Sequence, residues 1–223
     1  LILTLAGALP LAAQSPSRHE LRGPEVAIHN LAGTVQIEGG SGDAVQVEVV
    51  PGGADAGDLE AHADLRIRVP AGRALELHLA VGRVSAANVN GRLRIRTAAA
   101  PVTVTGGGGD LHVSTASGDV RLADIQSTDV TVETGSGGVT LELGSGVHVL
   151  EVETGSGDVA ITAPAEIGAQ LSIETGSGDI ESDFPVSVAR SGRHHLSGAI
   201  GDGKGRVRVE TGSGSVRLLR AKA

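Results

Sequence analysis

The 223-residue chain contains no cysteine, methionine, tryptophan or tyrosine, and Phe184 is its single phenylalanine. Without cysteine there are no disulfides, thiolate metal sites, cysteine nucleophiles or lipid-anchoring thiol, so the fold must hold by packing alone. Without Trp and Tyr, the chain lacks the platforms on which sugar rings stack. That argues against the polysaccharide lyases and hydrolases built on parallel β-helices, and the chain reads as non-enzymatic with no cofactor. The same lack weakens an ordinary tight protein interface, where Trp, Tyr and Arg dominate.

What is abundant is glycine. There are 34 glycines, spaced regularly instead of gathered in a linker, which predicts many tight turns and few long helices. An apolar content of 40% against 20% charged residues fits one folded domain. The uncharged opening, LILTLAGALPLAA at residues 1–13, ends in small residues and reads as the hydrophobic part of a secretory signal peptide, with the mature chain starting near Gln14. It is too short to span a bilayer, which takes about 20 residues. No later stretch is apolar enough to do so. The expectation is a chain exported to the periplasm or the cell exterior, with a linker at 14–24, a repeat domain at 25–219 and a short tail at 220–223.

Four near-copies of one string carry the repeat: VETGSGGVTLE from Val132, VETGSGDVAIT from Val152, IETGSGDIESD from Ile173 and VETGSGSVRLL from Val209. Aligned on threonine, Thr97, Thr115, Thr134, Thr154 and Thr175 follow at steps of 18, 19, 20 and 21 residues, and Thr211 comes 36 later. A period near 20 is the mark of a solenoid, whose units bury their apolar sides only by stacking. Val130, Val132 and Thr134 alternate with Thr131 and Glu133, a period of two that predicts strands with one face inward. The glycine pairs Gly135 and Gly137, Gly155 and Gly157, Gly176 and Gly178, and Gly212 and Gly214 turn the chain at corners. Asp43, Asp119, Asp158 and Asp179 sit where a carboxylate can accept from nearby backbone amides. The fold expected is an all-β parallel β-solenoid of nine or ten rungs, on the order of 45 Å long, with an inward threonine ladder. The period fails over residues 182–206, read as an excursion or capping loop, with a final rung after it.

The TGSGD repeats, the RVPAG followed by LHLAVGRVSAANVNGRLRIRT, and the closing GDGKGRVRVETGSGSVRL resemble the bacterial putative-adhesin, β-strand-repeat family of unknown function. The resemblance covers Glu25 to Leu219. It implies an exported β-solenoid and supplies no catalytic residues.

Charge is unevenly placed. From Asp110 to Asp183 there are fourteen acidic residues and one basic residue, Arg121, a balance of 1 − 14 = −13. Arg83, Arg92, Arg94 and Arg96 precede this block, and Lys204, Arg206, Arg208, Arg217, Arg220 and Lys222 follow it. An acidic centre disfavours nucleic acid as a partner. Glu133, Glu153 and Glu174 are expected as a ladder of like charges, which an exposed face tolerates. Asp119, Asp158 and Asp179 are the calcium candidates, but calcium β-rolls repeat every nine residues and Gly138 and Ser215 break the aspartate series. GAIGDGKG, Gly198 to Gly205, approaches a phosphate loop, yet RVRVETG follows it where that motif needs a helix. His194 and His195 adjoin, and neighbouring strand residues face opposite ways, so they chelate poorly. The function expected is a structural, adhesin-like or interaction module of the cell envelope, with an unidentified envelope protein or cell-surface component as partner. A sensor domain of an envelope-stress system and a cation-binding surface protein are the alternatives. An open solenoid end also permits self-association.

Overall fold

The computed structural model describes residues 2–5, 16–52 and 62–221. Among them are twenty strands and no helix: β1 (Ile2–Leu5), β2 (Ser17–Leu21), β3 (Glu25–Gly40), β4 (Val45–Pro51), β5 (Ala63–Pro70), β6 (Ala74–Ala87), β7 (Leu93–Ala99), β8 (Val102–Thr105), β9 (Asp110–Ser117), β10 (Val120–Ile125), β11 (Asp129–Ser136), β12 (Val139–Leu143), β13 (Val149–Ser156), β14 (Val159–Ala163), β15 (Ala169–Thr175), β16 (Ile180–Ser182), β17 (Ser187–Gly192), β18 (His195–Ile200), β19 (Gly205–Ser213) and β20 (Val216–Arg220). The alternation in sequence is the cause. In β13 the burial pattern swings between buried Leu150, Val152 and Thr154 and exposed Glu151 and Glu153, the period of a pleated strand with one face on a core.

The strands stack in two columns. The first runs β1, the first half of β3, the first half of β6, β7, β9, β11, β13, β19 and β15, all parallel. The second runs β5, the second half of β3, the second half of β6, β8, β10, β12, β14, β20 and β16, also parallel. Each rung therefore contributes one strand to each column, and β3 and β6 bend from one column to the other without a break. The molecule is a β-solenoid with two strands per rung. Its core is one continuous cluster of stacked aliphatic residues. Val132, Val152, Val209 and Ile173 form one ladder, at most 1% exposed, through four rungs. Each such burial contributes about 1.5–3 kcal/mol.

Eight complete rungs are present among the described residues, fewer than the nine or ten expected. The shortfall has a specific cause: the segment after the Gly40–Asp43 turn does not coil. It folds back as antiparallel β4 on β5, and β2 adds antiparallel to β4. Residues 17–21, read as linker, are thus a strand of this end cap. Of the segment read as a leader, residues 2–5 pair with Ala27–Asn30, and residues 1 and 6–15 lie outside the described residues, as do 222 and 223 of the tail.

The larger departure is the rung order. The sequence reading places the last rung after the excursion, at the end of the stack. Instead β19 pairs with β13 on one side and β15 on the other, and β20 lies between β14 and β16. The final rung in sequence is the penultimate rung in space. The excursion forms an antiparallel hairpin, β17 with β18, and β18 pairs antiparallel with β15 at the outer edge of the first column. Phe184, 6% exposed, closes the core beside it, with the Arg220 guanidinium 5.2 Å from its ring centroid.

Candidate functional site

The corners explain the repeated motif. A Cβ on Gly155 would lie 2.6 Å from the Gly135 carbonyl oxygen of the next rung, a distance no side chain tolerates. Gly157 adds a φ of +141° and a 2.2 Å approach to the Gly137 carbonyl, so two independent demands select glycine there. Beside these glycines the corner residues stack as Asp119, Gly138, Asp158, Ser215 and Asp179. Asp119 Oδ1 accepts from the Gly138 amide at 2.9 Å, Asp158 Oδ1 accepts from the Ser215 amide at 2.8 Å, and the Asp179 amide donates to Ser215 Oγ at 3.3 Å. The Asp119 and Asp158 carboxylates thus bond to the neighbouring rung, whereas at Asp179 the backbone amide makes the cross-rung bond. Acidic and uncharged corners alternate, so two aspartates are always about 10 Å apart, two rung spacings. The gaps at Gly138 and Ser215 are what keep like charges from adjoining, and the inserted rung supplies one of them. The three calcium candidates do not converge, and no group of three or more His, Cys, Asp or Glu among the described residues is arranged to hold a metal.

On the inner side of the same corners lie the threonines. Thr97, Thr115, Thr134, Thr154, Thr211 and Thr175 stack in that order, each 3–8% exposed. Thr97 Oγ1 donates to Thr115 Oγ1 at 2.8 Å, Thr115 to the Ser117 carbonyl at 3.0 Å, Thr134 to the Ser136 carbonyl at 3.2 Å and Thr175 to the Gly214 carbonyl at 2.9 Å. Thr211 reaches the Gly157 carbonyl at 3.4 Å. The Thr154 hydroxyl is buried without a partner among the described residues.

Outward from this ladder, one row of side chains crosses the first column: His29, His78, Arg96, Ser114, Glu133, Glu153, Glu210, Glu174 and His195. The sequence reading puts Glu133, Glu153 and Glu174 on consecutive rungs. The structure separates Glu153 from Glu174 by Glu210, which that reading missed although VETGSG at Val209 carries the same signal. The four carboxylates floor an open groove of about 970 Å³, walled at one end by Arg190, His194 and His195 of the hairpin. Arg208, two residues before Glu210 on the same strand face, lies 3.9 Å from Glu151 and also pairs with Glu210, so the basic C-terminal segment is folded into the acidic block. His195 Nδ1 meets Glu174 at 3.2 Å, while His194 Nδ1 lies 3.1 Å from the Gly178 carbonyl. The adjacent histidines thus serve separate partners.

The opposite end of the row is basic and imidazole-rich. His29 and His78 stack with centroids 4.3 Å apart and an interplanar angle of 7°. Glu76 accepts from Arg96 and lies 3.2 Å from His78 Nε2. Burial holds the His112 imidazole below its ordinary pKa, and Arg94 and Arg96 add to this against Glu133 and Glu76. The phosphate-loop look-alike is the turn between β18 and β19, and the strand Gly205–Ser213 follows it in place of a helix. Among the described residues, no helix is long and apolar enough to cross a membrane.

A two-strand-per-rung solenoid with glycine corners and flat polar faces defines the class of protein. The chain belongs to the Toastrack DUF4097 family, whose profile matches residues 19–219, in keeping with the adhesin-like repeat family that the TGSGD strings resemble. No curated protein matches it. Among solved structures it is similar to a putative cell adhesion protein from Clostridium sporogenes, at 12% identity and a TM-score of 0.34, over 93% of this chain and 99% of that one.

Proposed function

We propose that the chain is a non-catalytic, adhesin-like interaction module, exported to the cell envelope, which meets its partner through the exposed face of the first column. One observation carries this reading: the chemistry-bearing residues lie on flat outer faces, not in an enclosed cleft. The buried polar residues among those described are Asn30, Ser127 and the six threonines, and the buried imidazole of His62, 3.9 Å from Asp64, lies outside the glutamate groove. Enzymes tune acids and bases by burial and close charge partners, whereas the glutamate row lies on an open face and its ion pairs, Glu210 with Arg208 and Glu174 with His195, are at the surface. Membership of the Toastrack DUF4097 family supports a repeat module over an enzyme.

In-cell crosslinking of the protein in its native host, followed by mass spectrometry, tests the reading. Capture of one envelope protein or cell-surface component, lost when Glu133, Glu153 and Glu210 are changed together to Gln, is the expected result. A protein that stays in the cytosol with its residues 1–13 intact would overturn it.

A further inference from the structure

We propose that the rung Gly205–Arg220 is a clasp that makes the C-terminal end of the chain a load-bearing point of the rod. In an ordinary solenoid each rung touches only its two neighbours, and the chain ends at an outer rung that frays or peels first. Here the last rung has a partner on both sides in both columns. β19 is in register with β13 from Arg206 to Ser213 and with β15 from Gly205 to Thr211, and β20 lies between β14 and β16. Conversely, among the described residues the strand pairing of β15 and β16 with the rest of the stack runs only through this rung: β15 pairs with β18 and β19, and β16 with β20. Withdrawing Gly205–Arg220 therefore undocks everything beyond β14.

Side chains fix this order. Leu218, at 1% exposure, holds a core position, and its in-register neighbour on the outer rung is Ser182. The more polar segment thus takes the end of the stack. Arg208 stands between Glu151 and Ser172, and Arg217 between Ala160 and Glu181, which it meets at 3.4 Å. Ser215 separates Asp158 from Asp179 in the corner column. Stacking in sequence order would place those two aspartates on adjacent rungs and strand the arginines at the end. The clasp stands on this connectivity alone and does not depend on where the protein resides.

The cysteine-free chain allows single handles for force spectroscopy. The full chain is anchored through Arg121→Cys on β10 and pulled either from its C-terminus or from Arg193→Cys at the exposed tip of the β17–β18 hairpin. From the C-terminus, the first rupture is expected to release residues 164–221 in one step on the order of 20 nm, at about twice the force needed from the hairpin. From the hairpin, β17 leaves a single partner and gives a first step of a few nanometres. A first C-terminal step on the order of 7 nm at the hairpin force, the signature of one edge rung peeling, overturns the proposal. Hydrogen exchange on the unmodified chain checks it independently. The amides of Val207, Val209 and Leu218 should exchange in the same slow class as that of Val152, and exchange ahead of Ile173 overturns the clasp.

Discussion

At the level of single residues, the threonine ladder shows that one side chain at equivalent places is not worth the same everywhere. Thr115 accepts from Thr97 and donates to the Ser117 carbonyl, so Thr115→Val removes two bonds and leaves Thr97 with only its longer, 3.4 Å bond to the Ala100 carbonyl. The cost should be about 1–3 kcal/mol. Thr154 is equally buried but has no partner. A methyl in place of its hydroxyl relieves an unmet polar group, so Thr154→Val should be neutral or stabilising in a urea titration. Equal losses at both sites would show that the hydroxyls act through shape alone. The glycines give the converse contrast. Gly155→Val must displace the Gly135 carbonyl of the adjoining rung, whereas Ser156 is exposed and Ser156→Ala should stay within about 0.5 kcal/mol of the parent. The glycine change should cost several kcal/mol, and indistinguishable melting temperatures would remove the close-approach argument.

At the level of strands and rungs, charge decides what hydrophobic pattern leaves open. The inserted rung presents Ser215 between Asp158 and Asp179. Ser215→Asp would create three carboxylates one rung apart, each neighbouring pair repelling by about 1 kcal/mol in water. A loss of about 1–2 kcal/mol is expected at low ionic strength, most of it recovered in molar salt. Ser215→Asn should be close to neutral. If the Asn variant loses as much, or salt recovers nothing, geometry and not charge governs the corner. This interplay also marks where sequence stops being informative. Strands and corners are legible because alternation and Gly-Ser-Gly are local signals, and Thr134, Thr154 and Thr175 duly stack inward. Rung order is not legible from those signals, because the strings at Val152, Ile173 and Val209 are interchangeable by pattern. The difference lies in Arg208, Ser215 and Ser182, whose meaning depends on neighbours 36 to 57 residues away. Glu210 carries the local VETGSG signal, and only its place between Glu153 and Glu174 depends on rung order.

At the scale of the whole molecule, a parallel stack has an end problem, since each column finishes in unpaired backbone groups that invite association. The two ends solve it with antiparallel strands on opposite columns: β4 and β2 extend the second column at the N-terminal end, and β18 and β17 extend the first at the other. That leaves the second column at the C-terminal end with only β16, three residues long, and the core beneath it closed by Phe184. The single aromatic residue therefore stands where no further rung is available to cover the aliphatic ladder. Phe184→Ser should remove that lid at a cost of about 3 kcal/mol or more. It should also uncover part of the core cluster beside the short edge, so that sedimentation becomes more dependent on concentration than in the parent chain. A Phe184→Leu chain retains an apolar cover and should sediment like the parent, with a smaller loss of stability. If the serine variant loses stability yet sediments like the parent at high concentration, the short edge at β16 is itself enough to prevent added end-to-end association, and Phe184 serves packing alone.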